Sequence, residues 1–96
     1  MLFIARMDVS FPDSLTPEQV ADFQAREKEY SGNLQAKGTM KGIWRVVGKY
    51  SNYSIYDVAS NDELQEVLSG FPMYKYMNIE VTPLAQHPNA TRDFFA

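Results

Sequence analysis

Glu27 stands where a hydrophobic residue is expected. From Thr16 to about Gly38, apolar side chains recur at spacings of three and four, and Val20, Phe23, position 27, Tyr30 and Leu34 form the stripe of an amphipathic helix. Arg26, Lys28 and Glu29 fall off that stripe, while the acid at 27 lies on it. A carboxylate that loses water is harder to ionise, so its pKa rises. Such a group can take a proton from carbon and return it near neutral pH. A plainer reading stays open, in which Glu27 pairs with Arg6 or Arg45, or reaches solvent from the stripe edge.

Two arginines are candidates to hold an acidic ligand. Arg45 is expected to share a strand face with Ile43 and Val47, and Arg6 one with Leu2 and Ile4. A guanidinium fixed on a partly apolar sheet face receives a carboxylate through paired N–H donors. The alternative for either is a salt bridge to Asp8, Asp57 or Glu80 at an interface. Trp44 alternates with Arg45 and is expected in the core. Tyr50, Tyr53, Tyr56, Tyr74 and Tyr76 offer phenol hydroxyls, or else pack with a wet tip. His87, the only histidine, either helps to line a pocket built from two chains or lies on the surface. There is no cysteine, no spaced His/Asp/Glu cluster, no Gly-rich phosphate loop and no serine-nucleophile motif. The residues therefore favour proton chemistry without a cofactor or metal, or no chemistry at all.

The elements that must position these groups follow from period and punctuation. Leu2 to Val9 alternates, with Phe3, Ala5, Met7 and Val9 on one face and Leu2, Ile4, Arg6 and Asp8 on the other. Phe11-Pro12-Asp13-Ser14 turns the chain. Thr16 caps the long helix, with Pro17 at its first position and Gln19 at N3, and Gly38 stops it. Gly32 lies mid-helix, either for close packing or as a weak spot. Strands are expected over Ile43 to Tyr50 and Tyr53 to Val58, with their connection within Gly48 to Asn52. Ser60 opens a second helix over Asn61 to Ser69, where Glu63 completes a capping box and Leu64, Val67 and Leu68 form the apolar face. A fourth strand is expected over Tyr74 to Val81. The order β-α-β-β-α-β matches an α+β, ferredoxin-like fold, one antiparallel four-stranded sheet with both helices on one face. The other face, made apolar by Leu2, Ile4, Ile43 and Val47, then needs a cover, and self-association provides one.

Ninety-six residues suit a single domain, 1–96. The stretch 82–96 reads as a tail whose Phe94-Phe95 pair is expected to dock on a neighbouring subunit. A net charge of −3, with scattered Lys and Arg, gives no footprint for nucleic acid. An aromatic share of 14% exceeds what a small core readily absorbs and points to subunit interfaces or a lined pocket. The first residues carry charge too early for a signal peptide, and no apolar run approaches the roughly 18 residues of a membrane span. A cytoplasmic domain with no membrane partner is the expectation.

Beyond these patterns, the chain resembles a known family. Met1-Leu2-Phe3 with Arg6-Met7, Glu27-Lys28-Glu29, Leu34-Gln35, Gly38-Thr39, Leu64, Pro72, Tyr76-Met77, Ile79-Glu80-Val81 and His87-Pro88 look like muconolactone Δ-isomerase. The run from Trp44 to Val58 is similar to the family's Trp-Arg, Gly-x-Tyr, Asn-x-Ser and Asp-Val pattern almost without gaps. The resemblance spans Met1 to about Asn89. It implies a homodecamer of ferredoxin-like subunits with pockets between them, converting muconolactone to 3-oxoadipate enol-lactone in aromatic catabolism. By the same resemblance Glu27 is the base; Arg6 and Arg45, at positions that match the family, are assigned stabilisation of the carboxylate or the dienolate by charge complementarity, and Tyr76 and His87 are the further candidates to bind substrate. The chain departs from the family at Gln65, where a histidine is usual, and at Met40, where an aromatic is common. It departs also at Tyr74-Lys75-Tyr76 and at Ala85-Gln86. Dehalogenation of chloromuconolactones, and a non-catalytic oligomer binding a small ligand, are the alternatives. Haem chemistry, as in related dimeric barrels, is disfavoured with one histidine in the tail.

Overall fold

The computed structural model describes residues 1–91. Four strands, β1 (Leu2–Val9), β2 (Met40–Arg45), β3 (Ser51–Asp57) and β4 (Met77–Leu84), alternate with two helices, α1 (Pro17–Lys37) and α2 (Asn61–Ser69). The sheet order is β2-β3-β1-β4, with every neighbouring pair antiparallel. Phe3, Ala5 and Met7 of β1 and Tyr56 of β3 meet Leu34 of α1 and Leu64 and Leu68 of α2 in one core. Both helices therefore cover the same sheet face, and the ferredoxin-like expectation holds.

Helix termini follow their local signals. Thr16 accepts from the Gln19 N–H at 3.1 Å, and Gln19 Oε1 accepts from the Thr16 N–H at 2.8 Å. Gly38 ends α1 in the left-handed region at φ 79°. At α2 the Ser60 hydroxyl accepts from the Glu63 N–H at 3.1 Å, but the return bond from Glu63 reaches the Ala59 N–H at 2.7 Å instead of the cap itself. Along α1, Val20, Phe23, Glu27 and Tyr30 are half-buried and Leu34 is buried. The stripe read from periodicity is the face that packs.

The strand boundaries differ from expectation in three places. β2 starts at Met40 and ends at Arg45, so Val46 to Tyr50 is a turn, closed by Lys49 N–H to Val46 C=O at 3.1 Å and by Gly48 at φ 79°. β3 accordingly begins at Ser51. Tyr74–Tyr76 is a 3₁₀ turn, because the Tyr74 and Tyr76 N–H groups bond back to Phe71 and Met73 at 2.9 Å each. β4 then runs to Leu84, three residues into the stretch read as tail. The Phe94-Phe95 pair lies outside the described residues.

A register shift between Met40 and Gly42 decides which face β2 presents. Ile43 pairs with Ser54, and Arg45 with Asn52, positions that pair in turn with Ala5 and Met7 on the helix-covered face. The placement of Ile43 and Arg45 beside Leu2 and Ile4 is thus corrected. Val47 sits in the turn, 95% exposed, and belongs to neither face. The far face carries Leu2, Ile4, Arg6, Tyr53 and Ile55, joined by Trp44, which pairs with Tyr53 and is 50% exposed. Trp44 is therefore not a core residue.

Candidate active site

A hollow of about 370 Å³ opens between α1 and the helix-covered face of the β2–β3 hairpin. This is the small end of the size range of ligand pockets, about 300–1,000 Å³. From α1 come Glu27, with Gln24 three before it and Ser31 four after it on the same face, and the adjacent Lys28. From the hairpin come Ile43, Arg45, Tyr50 and Asn52, and Val9, Met73 and Met77 complete the wall. The lining mixes the apolar Val9, Ile43, Met73 and Met77 with polar and charged side chains.

Glu27 is half-buried at this hollow. Loss of water raises its pKa above the usual carboxylate range, and the backbone N–H of Met73 partly opposes that rise. That N–H donates to Glu27 Oε1 at 3.1 Å. One carboxylate oxygen is thus engaged, which fixes the side chain. No ion pair forms between Glu27 and any cation among the described residues. The pairing with Arg6 or Arg45 that the sequence left open does not occur.

The cations nearby are held otherwise. The Arg45 guanidinium lies over the Tyr50 ring, 5.2 Å from its centroid, and Lys28 stands exposed on the rim. Tyr50 is itself fixed by Gln24, whose Nε2 donates to the phenol oxygen at 3.1 Å. Asn52 Oδ1 is buried and has no hydrogen-bond partner among the described residues. A buried acceptor without a partner is costly in a finished core but appropriate in a wall that a ligand completes. The site therefore holds a half-buried acid with a raised pKa, two cations that leave it unpaired, and an amide with spare hydrogen-bonding capacity. It can move a proton on a small anionic molecule.

Arg6, Tyr76 and His87 lie elsewhere. Arg6 is on the far face, where its Nε and Nη2 donate to Asp8 at 3.3 and 3.2 Å and its Nη1 to Tyr53 Oη at 3.1 Å. Asp8 also accepts from the Ser51 hydroxyl, and both partners hold its pKa below the usual range, Arg6 foremost. The alternative reading of Arg6, an acidic partner at Asp8, is what the chain adopts. Tyr76 packs against Phe11 and Phe23 at 5.3 and 5.4 Å, and Phe11 in turn braces Tyr50 at 6.1 Å. His87 is exposed beyond β4 and accepts at Nδ1 from the Asn89 N–H. None of the three lines the hollow of this chain. Sequence reasoning missed Gln24, Lys28, Ser31, Asn52 and Met73. The polar residues at helical spacing from Glu27 were the available signal for Gln24 and Ser31.

The match to known proteins is nearly complete in length. The family model for muconolactone delta-isomerase matches residues 1–90. The chain belongs to the muconolactone delta-isomerase family. A muconolactone Delta-isomerase 1 of Acinetobacter lwoffii is 54% identical over 97% of both chains. The muconolactone Delta-isomerase of Cupriavidus pinatubonensis is 51% identical over 96% of this chain and all of that one. A crystal structure of muconolactone isomerase at 3.3 Å resolution superposes with a TM-score of 0.92, at 39% identity over 97% of each chain. The departures from the family pattern stay clear of the hollow. Met40 is 2% exposed in the core, and Gln65, Lys75 and Gln86 are exposed outside it.

Proposed function

We propose that this isomerase converts muconolactone to 3-oxoadipate enol-lactone without a cofactor, using Glu27 as the base. The observation that carries the reading is a half-buried, unpaired carboxylate at a small hollow flanked by two cations. Glu27 removes the proton from the ring carbon bearing the carboxymethyl group. The electron pair of that C–H bond becomes a new ring double bond, and the old one shifts its electrons towards the lactone carbonyl. The resulting dienolate takes the proton back from Glu27 at the carbon next to that carbonyl. One base serves both steps, since the two carbons belong to one allylic system.

Arg45 and Lys28 hold the substrate carboxylate. Asn52 faces the ring, and rotation of its amide exchanges oxygen for N–H, so it can donate to the carbonyl oxygen where charge develops. Arg6 and His87 bind substrate from contacts between subunits of a homo-oligomer, a decamer by family resemblance, and Tyr76 supports the site through Phe11, which braces Tyr50. The setting is the cytoplasm. No helix of the described residues is long and apolar enough to cross a membrane.

Ultraviolet monitoring of the purified, folded protein with muconolactone tests the reading. Turnover is expected, and Glu27→Gln is expected to lower kcat by about 10²- to 10⁴-fold with the fold retained. Absence of turnover above background overturns the activity. Unchanged turnover in Glu27→Gln removes Glu27 from the mechanism.

A further inference from the structure

Tyr30 lies one helical turn beyond Glu27 on the same face of α1, and it is bound to the segment that holds Glu27 in place. Its hydroxyl donates to the Val67 carbonyl at 2.6 Å, in the last turn of α2. Its ring meets Phe71 edge-on, with centroids 4.7 Å apart. Between these contacts sits Gly70, where an added Cβ would stand 2.4 Å from the Tyr30 hydroxyl and 3.0 Å from the ring carbon bearing it. Glycine is required there by the closeness of Tyr30. Two residues past Phe71, after the rigid Pro72, comes Met73, whose N–H reaches Glu27 Oε1. Local hydrogen bonds tie the segment to the end of α2, Phe71 N–H to Leu68 C=O at 3.2 Å and Tyr74 N–H to Phe71 C=O at 2.9 Å, so a shift at Gly70 is passed on to Met73.

We infer that Tyr30 and Gly70 form a latch that positions the base: Tyr30 clamps the end of α2 to α1, and the clamped segment aims the Met73 N–H at Glu27. A single helix then carries both the acid and the anchor of its hydrogen-bond donor, so the distance between them is set within one rigid body. The inference rests on Glu27 being the base of the proposed isomerase. Tyr30 does not line the hollow, so it is a positioning residue.

The groups that bear on the Glu27 carboxylate are known from each packed element. They are Lys28 and Tyr30 from α1, Arg45 from β2, Tyr50 from the hairpin turn and Tyr56 from β3. The segment after α2 contributes Met73, which does not titrate. Gly70→Ala therefore loosens the donor and leaves every titrating neighbour in place, and Tyr30→Phe removes besides only a phenol whose pKa burial and Glu27 hold above its ordinary value.

The test compares wild type, Tyr30→Phe, Gly70→Ala and the double variant by ¹³C NMR titration of the Glu27 carboxyl and by kcat and KM for muconolactone. In Tyr30→Phe the Glu27 midpoint is expected to rise by about half a pH unit or more. Its kcat is expected to fall about ten-fold, with KM changed less than about two-fold. Gly70→Ala should act in the same direction, and its effect should shrink in the Tyr30→Phe background, where the hydroxyl it strikes is gone. A folded Tyr30→Phe with an unmoved midpoint overturns the latch, whatever its melting temperature, as does a moved midpoint with unchanged kcat in an active enzyme. If Gly70→Ala does not fold, Tyr30→Phe decides alone. If the wild type does not turn over muconolactone, the functional reading fails separately, and the NMR midpoint still decides the latch.

Discussion

Glu27 is pulled two ways, by dehydration that raises its pKa and by the Met73 N–H that lowers it, and dehydration prevails. Its pKa in the folded chain therefore lies above its unfolded value. The neutral acid favours the fold fully below the unfolded value, and that contribution is lost as pH rises through the folded one. Glu27, once ionised, thus weakens the protein that needs it. Glu27→Gln keeps an oxygen for the Met73 N–H and removes the charge. By scanning calorimetry it should melt above wild type at pH 8, and the gap should close below the usual carboxylate range. An equal gap at pH 8 and pH 3.5 would contradict this account. At this scale the acid was legible because one charge interrupted a regular stripe. Asn52 and Met73 were not. The first depends on β3 beginning at Ser51, where the sequence reads as the hairpin connection, and the second acts through a backbone N–H that every residue but proline possesses.

α1 is the element on which the site is built, supplying four side chains to the hollow and the latch to α2. Its ends were readable because caps are written within four residues of sequence: Thr16 with Gln19, and a glycine at position 38. The strands were less so. Val46 to Tyr50 has strand-like composition, but Gly48 allows the left-handed turn that ends β2 early. Tyr74 to Tyr76 likewise looks like strand, yet its hydrogen bonds close locally to residues three back. Within the chain, an added Cβ at Gly32 meets open space, as at a plain weak spot of α1. Gly32→Ala should therefore stabilise the protein by about 1 kcal/mol in urea unfolding, with kcat unchanged. A loss of stability would show that a neighbouring subunit occupies that space.

At the scale of the whole molecule, the sheet separates two tasks. Proton chemistry lies between the sheet and α1, and the opposite face shows Trp44, Tyr53 and Leu84 half-exposed beside Leu2 and Ile4. That the far face needs a cover was legible from the alternation of β1; which β2 residues share it was not. In the proposed homo-oligomer, Tyr53→Arg sets a second guanidinium beside Arg6 on this face. Sedimentation velocity should then show a smaller species, with circular dichroism unchanged. An assembly of undiminished size would place the subunit contacts elsewhere. Trp44, the sole tryptophan, has a further consequence from its place opposite the hollow. An indole that is half in water emits at longer wavelength than one that is enclosed. The protein's intrinsic fluorescence therefore reports what lies against its outer surface, and stays largely blind to what binds beside Glu27.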